Sequence, residues 1–450
     1  NAFSSLQGAL AVAEENDEIW VAKGTYYPSE NDSSVSFEMK DDVSIYGGFS
    51  GNETSRDERD WEVNETILSG DIGEINVQED NSTHVVIAAN GVLDGFTISD
   101  GYVPMPRQDG APEGMDGPPK GQDGPPKGQD GPPSNNGSRN VGHSTPEQVL
   151  SGDASTSVHG AGIIIWETAP TIANCTITDN SAGKGGGVYI VNTGRVGNLP
   201  IFLNSTISNN YAVKRGAGVA LDQRGDAIFI DCIFSNNVCD EKGGAVYHDF
   251  GSSAMFENCL FVNNEAGSGA AFGNDGTSSP VISSSTLYGN EAWETGAALY
   301  QGTGPYNDPA VINTIVWGNI CDEDEESVYN WNECNPKIDY SLIEGGYVGE
   351  GIIDTDPLFV DSENMDFDLQ ANSPCLTASS DGGRIGFDAS LVDQRTEAEY
   401  KSLIENLYNI EFNEDPIVLD LTNPVDTEEA TNIESVVYVD AGIDEAGDGS

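Results

Sequence analysis

Two stretches one period apart read Cys232-Ile233-Phe234-Ser235-Asn236-Asn237 and Cys259-Leu260-Phe261-Val262-Asn263-Asn264, with Gly243-Gly244-Ala245-Val246 between them. The frame recurs at Ile177–Asn180, Ile207–Asn210, Phe234–Asn237, Phe261–Asn264, Leu287–Asn290 and Val316–Asn319. Its final Asn returns after 30, 27, 27, 26 and 29 residues. A small-residue cluster before an apolar residue keeps step: Gly187-Val188, Gly218-Val219, Ala245-Val246, Ala271-Phe272 and Ala298-Leu299. Two motifs sharing one period mark a solenoid. A period near 27, filled with short alternating segments, suits one coil of a parallel β-helix with about three strands per coil, stacked at the strand spacing of a sheet. The fold class expected from the period is all-β, a parallel β-helix solenoid.

Alternation assigns the faces. The residue three before each Asn (Ile177, Ile207, Phe234, Phe261, Leu287, Val316) points inward. So does the residue two earlier (Cys175, Ser205, Cys232, Cys259, Ser285, Thr314), where small side chains suit a narrow core. The Asn column falls at a turn, where stacked amides form a ladder. The glycine clusters allow tight turning and close approach of neighbouring coils.

Together the G-G-A-[ILV] and F-x-x-N motifs resemble the repeats of polymorphic outer membrane proteins, within the wider group of secreted right-handed β-helix repeat proteins. Ile45–Phe49, Thr66–Asp71, Leu93–Ile98 and Asp354–Val360 also match that group. The resemblance implies the right-handed form of the parallel β-helix and an extracellular or cell-surface setting. It says little about chemistry, because the group includes adhesins, surface-layer-like proteins and polysaccharide lyases.

The chain has 450 residues, with 18 Lys+Arg against 75 Asp+Glu and a net charge of −57. That charge argues against nucleic acid and against anionic membranes. No apolar run is long enough to span a bilayer. Seven cysteines are too few and too dispersed for a disulfide scaffold. Most read as small core residues; Cys321 and Cys334, which bracket an acidic loop, are the candidates for a disulfide. N-x-S/T triplets begin at Asn31, Asn52, Asn64, Asn81, Asn136, Asn174 and Asn204, the candidate glycosylation positions in a secreted setting.

Residues 1–18 read as a capping helix over the open end of the solenoid, with Phe3, Leu6 and Leu10 on its apolar face and Ser4 or Ser5 as N-cap. Residues 19–390 read as the β-helix, interrupted at 101–158 by a Gly/Pro-rich insertion with a seven-residue period. That period breaks the every-third-Gly rule of collagen and suggests polyproline-like or disordered chain. Residues 391–411 read as a second helix, an expected C-terminal cap, and 412–435 as an acidic linker.

Residues 436–450 open with Val436-Val437-Tyr438-Val439-Asp440. In the group that it resembles, such a strand stands before the capping helix; here the helix opens the sequence and the strand closes it. The expectation is that the terminal strand completes the N-terminal cap of a neighbouring unit. Units would join head to tail, as a tandem array or by strand exchange between subunits. The competing arrangement is a monomer whose own strand returns, which an extended linker of this length can reach.

One column suggests ligand chemistry. Four residues before each apolar residue of the glycine motif stand His159, Lys184, Arg215 and Lys242. A line of cations would hold an acidic glycan, or serve a uronate lyase as base and charge neutraliser; pairing with nearby acids is the alternative. Calcium is the candidate cofactor, with Asp322, Asp324, Asp354, Asp356, Asp440, Asp444 and Asp448 as candidate ligands, though none of their spacings matches a known calcium loop. The reading favoured is a non-enzymatic structural or adhesive module, with copies of itself as partners and glycans as candidate ligands. A polysaccharide-binding or lyase-like β-helix is the alternative.

Overall fold

The computed structural model describes residues 3–104, 159–195, 199–302, 307–321, 326–331, 334–392, 394–411 and 436–439. The chain winds a right-handed parallel β-helix of ten turns, counted on its ten-stranded sheet. Each central coil carries four short strands rather than the expected three. One coil runs Ile201–Leu203, Thr206–Ser208, Tyr211–Arg215 and Val219–Asp222, and these add to sheets of 11, 10, 6 and 9 strands. We call them the first to fourth sheets. Pairing is parallel and in step, as in Ile201↔Ile228 and Ile207↔Phe234.

Three left-handed residues turn each central coil. The corner from first to second sheet holds Asn174, Asn204, Asp231, Asn258, Ser284 and Asn313 at φ between 44° and 56°. The next corner holds Asp179, Asn209, Asn236 and Asn263, then Gly289 and Gly318. Asn and Asp tolerate this conformation because their short side chains bond locally. The corner into the fourth sheet is always glycine, from Gly160 to Gly296, because a Cβ on Gly216 would lie 2.3 Å from the Val219 carbonyl oxygen.

Inside, both inward columns expected from alternation are buried, from Ile177 and Cys175 to Val316 and Thr314. A third column stacks Phe202, Phe229 and Phe256 at centroid distances of 4.6 and 5.0 Å. The asparagines at the second corner form a continuous ladder. Each Nδ2 donates to the next Oδ1, over 2.8 to 3.1 Å from Asn180 to Asn319.

Two boundaries move. The coils end near Ile343, not at residue 390. The segment with Asp354–Val360 instead lies along the second sheet, where Phe367 and Phe387 cover Leu260 and Val262. Tyr347 and Ile352 close the C-terminal end of the core. The second helix, Glu397–Glu411 (α2), is not an end cap. Its Ile404 and Leu407 pack on the outer face of the first sheet, against Ile201, Ile228, Ile230 and Met255. That outward column is apolar, so covering it with a helix removes it from water. At the N-terminus, Leu6–Val12 forms the expected capping helix (α1), and the Ser5 hydroxyl accepts from the Gly8 N–H. Of the insertion, residues 105–158 lie outside the described chain, as do 412–435 and 440–450.

Candidate functional site

The first candidate is the cation column. His159, Lys184, Arg215 and Lys242 pair in register on successive coils, continued by Ser268 and Thr295. Each cation is already engaged. Lys184 Nζ lies 2.8 Å from Asp222, Lys242 Nζ 2.9 Å from Asp275, and Arg215 2.7 Å from Glu241. Burial, then the neighbouring Lys184, pushes His159 down to about 3, so it stands neutral at pH 7 and is not part of a line of charge.

What the sequence reading missed is the pair of columns facing these cations. On the fourth sheet, Tyr189, Tyr247 and Tyr300 alternate with Ala220 and Gly273. The small residues make room for the rings. The His159 ring stacks on Tyr189 at 4.5 Å, the Arg215 guanidinium lies 5.0 Å from Tyr247, and Lys242 Nζ is 4.6 Å from Tyr300. Tyr189 donates to Asp222, and Tyr247 donates to Asp275 at 2.8 Å. Burial, then Asp222 and Asp275 respectively, raises both phenols well above their ordinary range. Asp222 and Asp275 are only 5% exposed. The array is therefore an internally neutralised ladder, buried at Asp222 and Asp275 and exposed at Glu241, that ties third and fourth sheets together. The alternating Tyr was legible one residue after each apolar position of the glycine motif.

The second candidate is the N-terminal edge. The terminal strand Val436–Val439 pairs in parallel with the first strand, Glu18–Ala22, of the same chain. The register runs Glu18↔Val436, Ile19↔Val437, Trp20↔Tyr438 and Val21↔Val439, making this the eleventh strand of the first sheet. Phe3 bridges to Val439, whose side chain is fully buried in the core with Leu6 and Leu10. In this structure the strand thus returns to its own chain. Phe3, Leu6, Leu10 and Val439 meet where the terminal strand joins the cap.

Other candidates are dispersed. Asp354 accepts from the Gly345 N–H and Asp356 from the Leu358 N–H, so each serves its own turn. No group of three or more metal-ligating side chains converges among the described residues. Asp322, Asp324, Asp440, Asp444 and Asp448 lie outside them. The Cys321–Cys334 bridge is not made: Cys321 Sγ accepts from the Ala297 N–H, while Cys334 Sγ faces the Gly302 carbonyl. The two thiols are turned to different backbone groups, so closeness in sequence did not translate into a bridge. Of the glycosylation candidates, Asn31 and Asn52 are exposed. Asn64 and Asn81 are buried, with their amides donating to the Gly48 and Asp100 carbonyls, and cannot carry a glycan in the folded state. The amides of Asn174 and Asn204 are bonded along the first corner, and Asn136 lies outside the described residues.

One buried carboxyl makes stability depend on pH. Burial raises Asp226 to about 6, against the opposing hydrogen bond from the Ser253 N–H. A carboxyl raised in the fold favours the protonated state, so its contribution is present below its unfolded value and is lost as pH rises through 6. Asp226→Asn should therefore stabilise the protein at pH 8 by about 3 kcal/mol, since each tenfold change in proton affinity is worth about 1.4 kcal/mol. Urea titrations at pH 4.5 and pH 8 should show the wild type losing more stability between the two than the variant.

The family described as the right-handed β-helix region matches residues 161–345. The finer resemblance to outer membrane protein repeats stands on the motifs alone. Among solved structures, the chain is similar to the crystal structure of pectate lyase Pel9A, at a TM-score of 0.43 and 10% identity, over 85% of this chain and 88% of that one. No curated protein matches. No helix among the described residues is long and apolar enough to cross a membrane.

Proposed function

We propose that the protein is a structural module of an extracellular filament or surface protein, whose terminal strand completes the N-terminal cap of a neighbouring unit. The observation that carries this reading is the docking of Val436–Val439 on the first strand, with Val439 sealed into the core beside α1. A sheet edge at the end of a solenoid presents unpaired N–H and C=O groups, and a donated strand satisfies them. The same edge accepts the same strand from its own chain or from another, because the contacts are identical. Only the connection differs, and here it is a 24-residue segment with seven acids and no Lys or Arg. Closure on itself and joining head to tail are thus two states of one device.

The lyase-like reading is the alternative; against a role for the cation column in it, Lys184, Arg215 and Lys242 are engaged in ion pairs and His159 is buried.

The test pairs two variants that each add one cysteine in register, Val21→Cys on one chain and Val439→Cys on another, with the wild-type chain, which keeps the seven native cysteines, treated alike as the control. Co-refolded at high concentration and then oxidised, they should yield a disulfide-linked heterodimer under denaturing conditions. Recovery of single chains only would sink the exchange reading.

A further inference from the structure

We propose that a cleft at the corner between the first and second sheets binds a neutral oligosaccharide. Most coils cross this corner in two residues, such as Asn174-Cys175 and Asn204-Ser205. One early coil differs, because sixteen residues, 50–65, separate Val43–Phe49 from Thr66–Ser69. That loop folds back over the following corner. Arg59 fastens it, lying 2.6 Å from Asp94 and donating to the Gly47 carbonyl. Two glycines beneath the loop let it lie this close: a Cβ on Gly48 would sit 2.8 Å from the Trp61 backbone N, and one on Gly95 3.1 Å from Trp61 Cβ.

Further along, the corner is covered again. Arg395 pairs with Asp231 at 2.9 Å, and Asn258 exchanges hydrogen bonds with Asp388. Between these two covers the corner lies open from the edge of the loop at Gly95 across the coils of Asn174 and Asn204, roughly 10 Å at the strand spacing of a sheet. The open stretch is a cleft of about 320 Å³. Trp61 walls it, and Glu62, Thr176, Thr206, Asn174 and Asn204 line it. The Arg59 guanidinium lies 4.9 Å from the Trp61 ring and holds it in place.

The lining selects the ligand class. An indole wall packs against the apolar C–H face of a sugar ring, while the threonine hydroxyls and a carboxylate bond its hydroxyls. Neither the Thr176 nor the Thr206 hydroxyl nor the Glu62 carboxylate bonds a described side chain. Glu62 and Glu65 at the cleft, on a chain of net charge −57, disfavour an anionic sugar such as a uronate. The site is separate from the cation column and does not depend on the terminal strand.

The full chain should be titrated calorimetrically with cellohexaose, xylohexaose, laminarihexaose, maltohexaose and hexagalacturonate. At least one neutral hexaose should bind and hexagalacturonate should bind more weakly. Trp61→Ala should weaken the neutral ligand about tenfold or more, a loss of about 1.4 kcal/mol. Thr176→Val, which keeps side-chain volume at an outward position, should weaken it severalfold with the melting temperature unchanged, and decides the matter if Trp61→Ala fails to fold. The proposal is overturned if no neutral hexaose binds at millimolar concentration, if hexagalacturonate binds more tightly, or if Thr176→Val leaves affinity untouched. Failure here would leave strand exchange unaffected, since the cross-linking test reads a different end of the molecule.

Discussion

Asn237→Ala should lower the free energy of unfolding by about 3 to 4 kcal/mol, and Asn319→Ala by about half as much. Asn237 sits in the middle of the amide ladder and is fully buried. Its Oδ1 accepts from both the backbone N–H and the Nδ2 of Asn210, at 3.2 and 3.0 Å. Its Nδ2 donates to Asn264 Oδ1 and to the Ile207 carbonyl, each at 2.9 Å. Truncation strands the Asn210 N–H without water, which costs about 1–3 kcal/mol, and takes from the Ile207 carbonyl the donor it has besides the strand ladder. It also halves the partners of two further amides. Asn319 ends the row and is only half-buried, so water replaces part of what it loses. Asn237→Asp should do no better than alanine. It replaces a donor with an oxygen facing Asn264 Oδ1 and places a charge in the core. Urea unfolding followed by circular dichroism measures all three. Equal losses at 237 and 319 would show that the ladder does not act as a connected row.

The ladder was legible because one residue type recurs at one period, and its chemistry at a turn follows from that type. The first corner was not. It is built from Asn174, Asn204, Asp231, Asn258, Ser284 and Asn313, which share a backbone conformation but not an identity. Arg215 does pair with a nearby acid, Glu241, but the partners of the two lysines escaped for a different reason. Asp222 lies 38 residues after Lys184, and Asp275 lies 33 after Lys242, because each partner belongs to the following coil beyond a loop of variable length. The site of α2 left a trace that went unread. Ala227-Ile228-Phe229-Ile230 is apolar at every position, and a strand apolar on both faces must be covered on both. The cleft at Trp61 depends on how far residues 50–65 lean over Gly95. No local pattern encodes that tertiary fact.

Shortening residues 412–435 to about four residues should turn a monomer into head-to-tail oligomers, while removing 436–450 should abolish assembly and leave the coils folded. The reason is distance. α2 rests on strands near Ile201 and Ile228, and the strand order places the docking edge five or six strands away. At about 4.8 Å per strand that is roughly 25–30 Å. Twenty-four residues reach it easily, whereas four extended residues span roughly 14 Å at most. A flexible linker of the native length holds the strand near its own edge at an effective concentration in the millimolar range. Micromolar protein with its native linker should therefore sediment as a monomer closed on itself. Cutting the reach removes the intrachain competitor without altering any contact at the edge, so only another chain's strand remains to fill it. The gain from filling it includes burial of Val439, worth about 1.5–3 kcal/mol, and the pairing of four residues along the first strand. Deleting 436–450 loses that gain, so the melting temperature should fall. A synthetic peptide spanning 435–442, added to the deleted chain, should restore it. Sedimentation velocity reads the oligomers and differential scanning calorimetry the rescue. A shortened chain that stays monomeric with an unchanged melting temperature would mean that the edge does not need the strand, and head-to-tail joining would have no driving force.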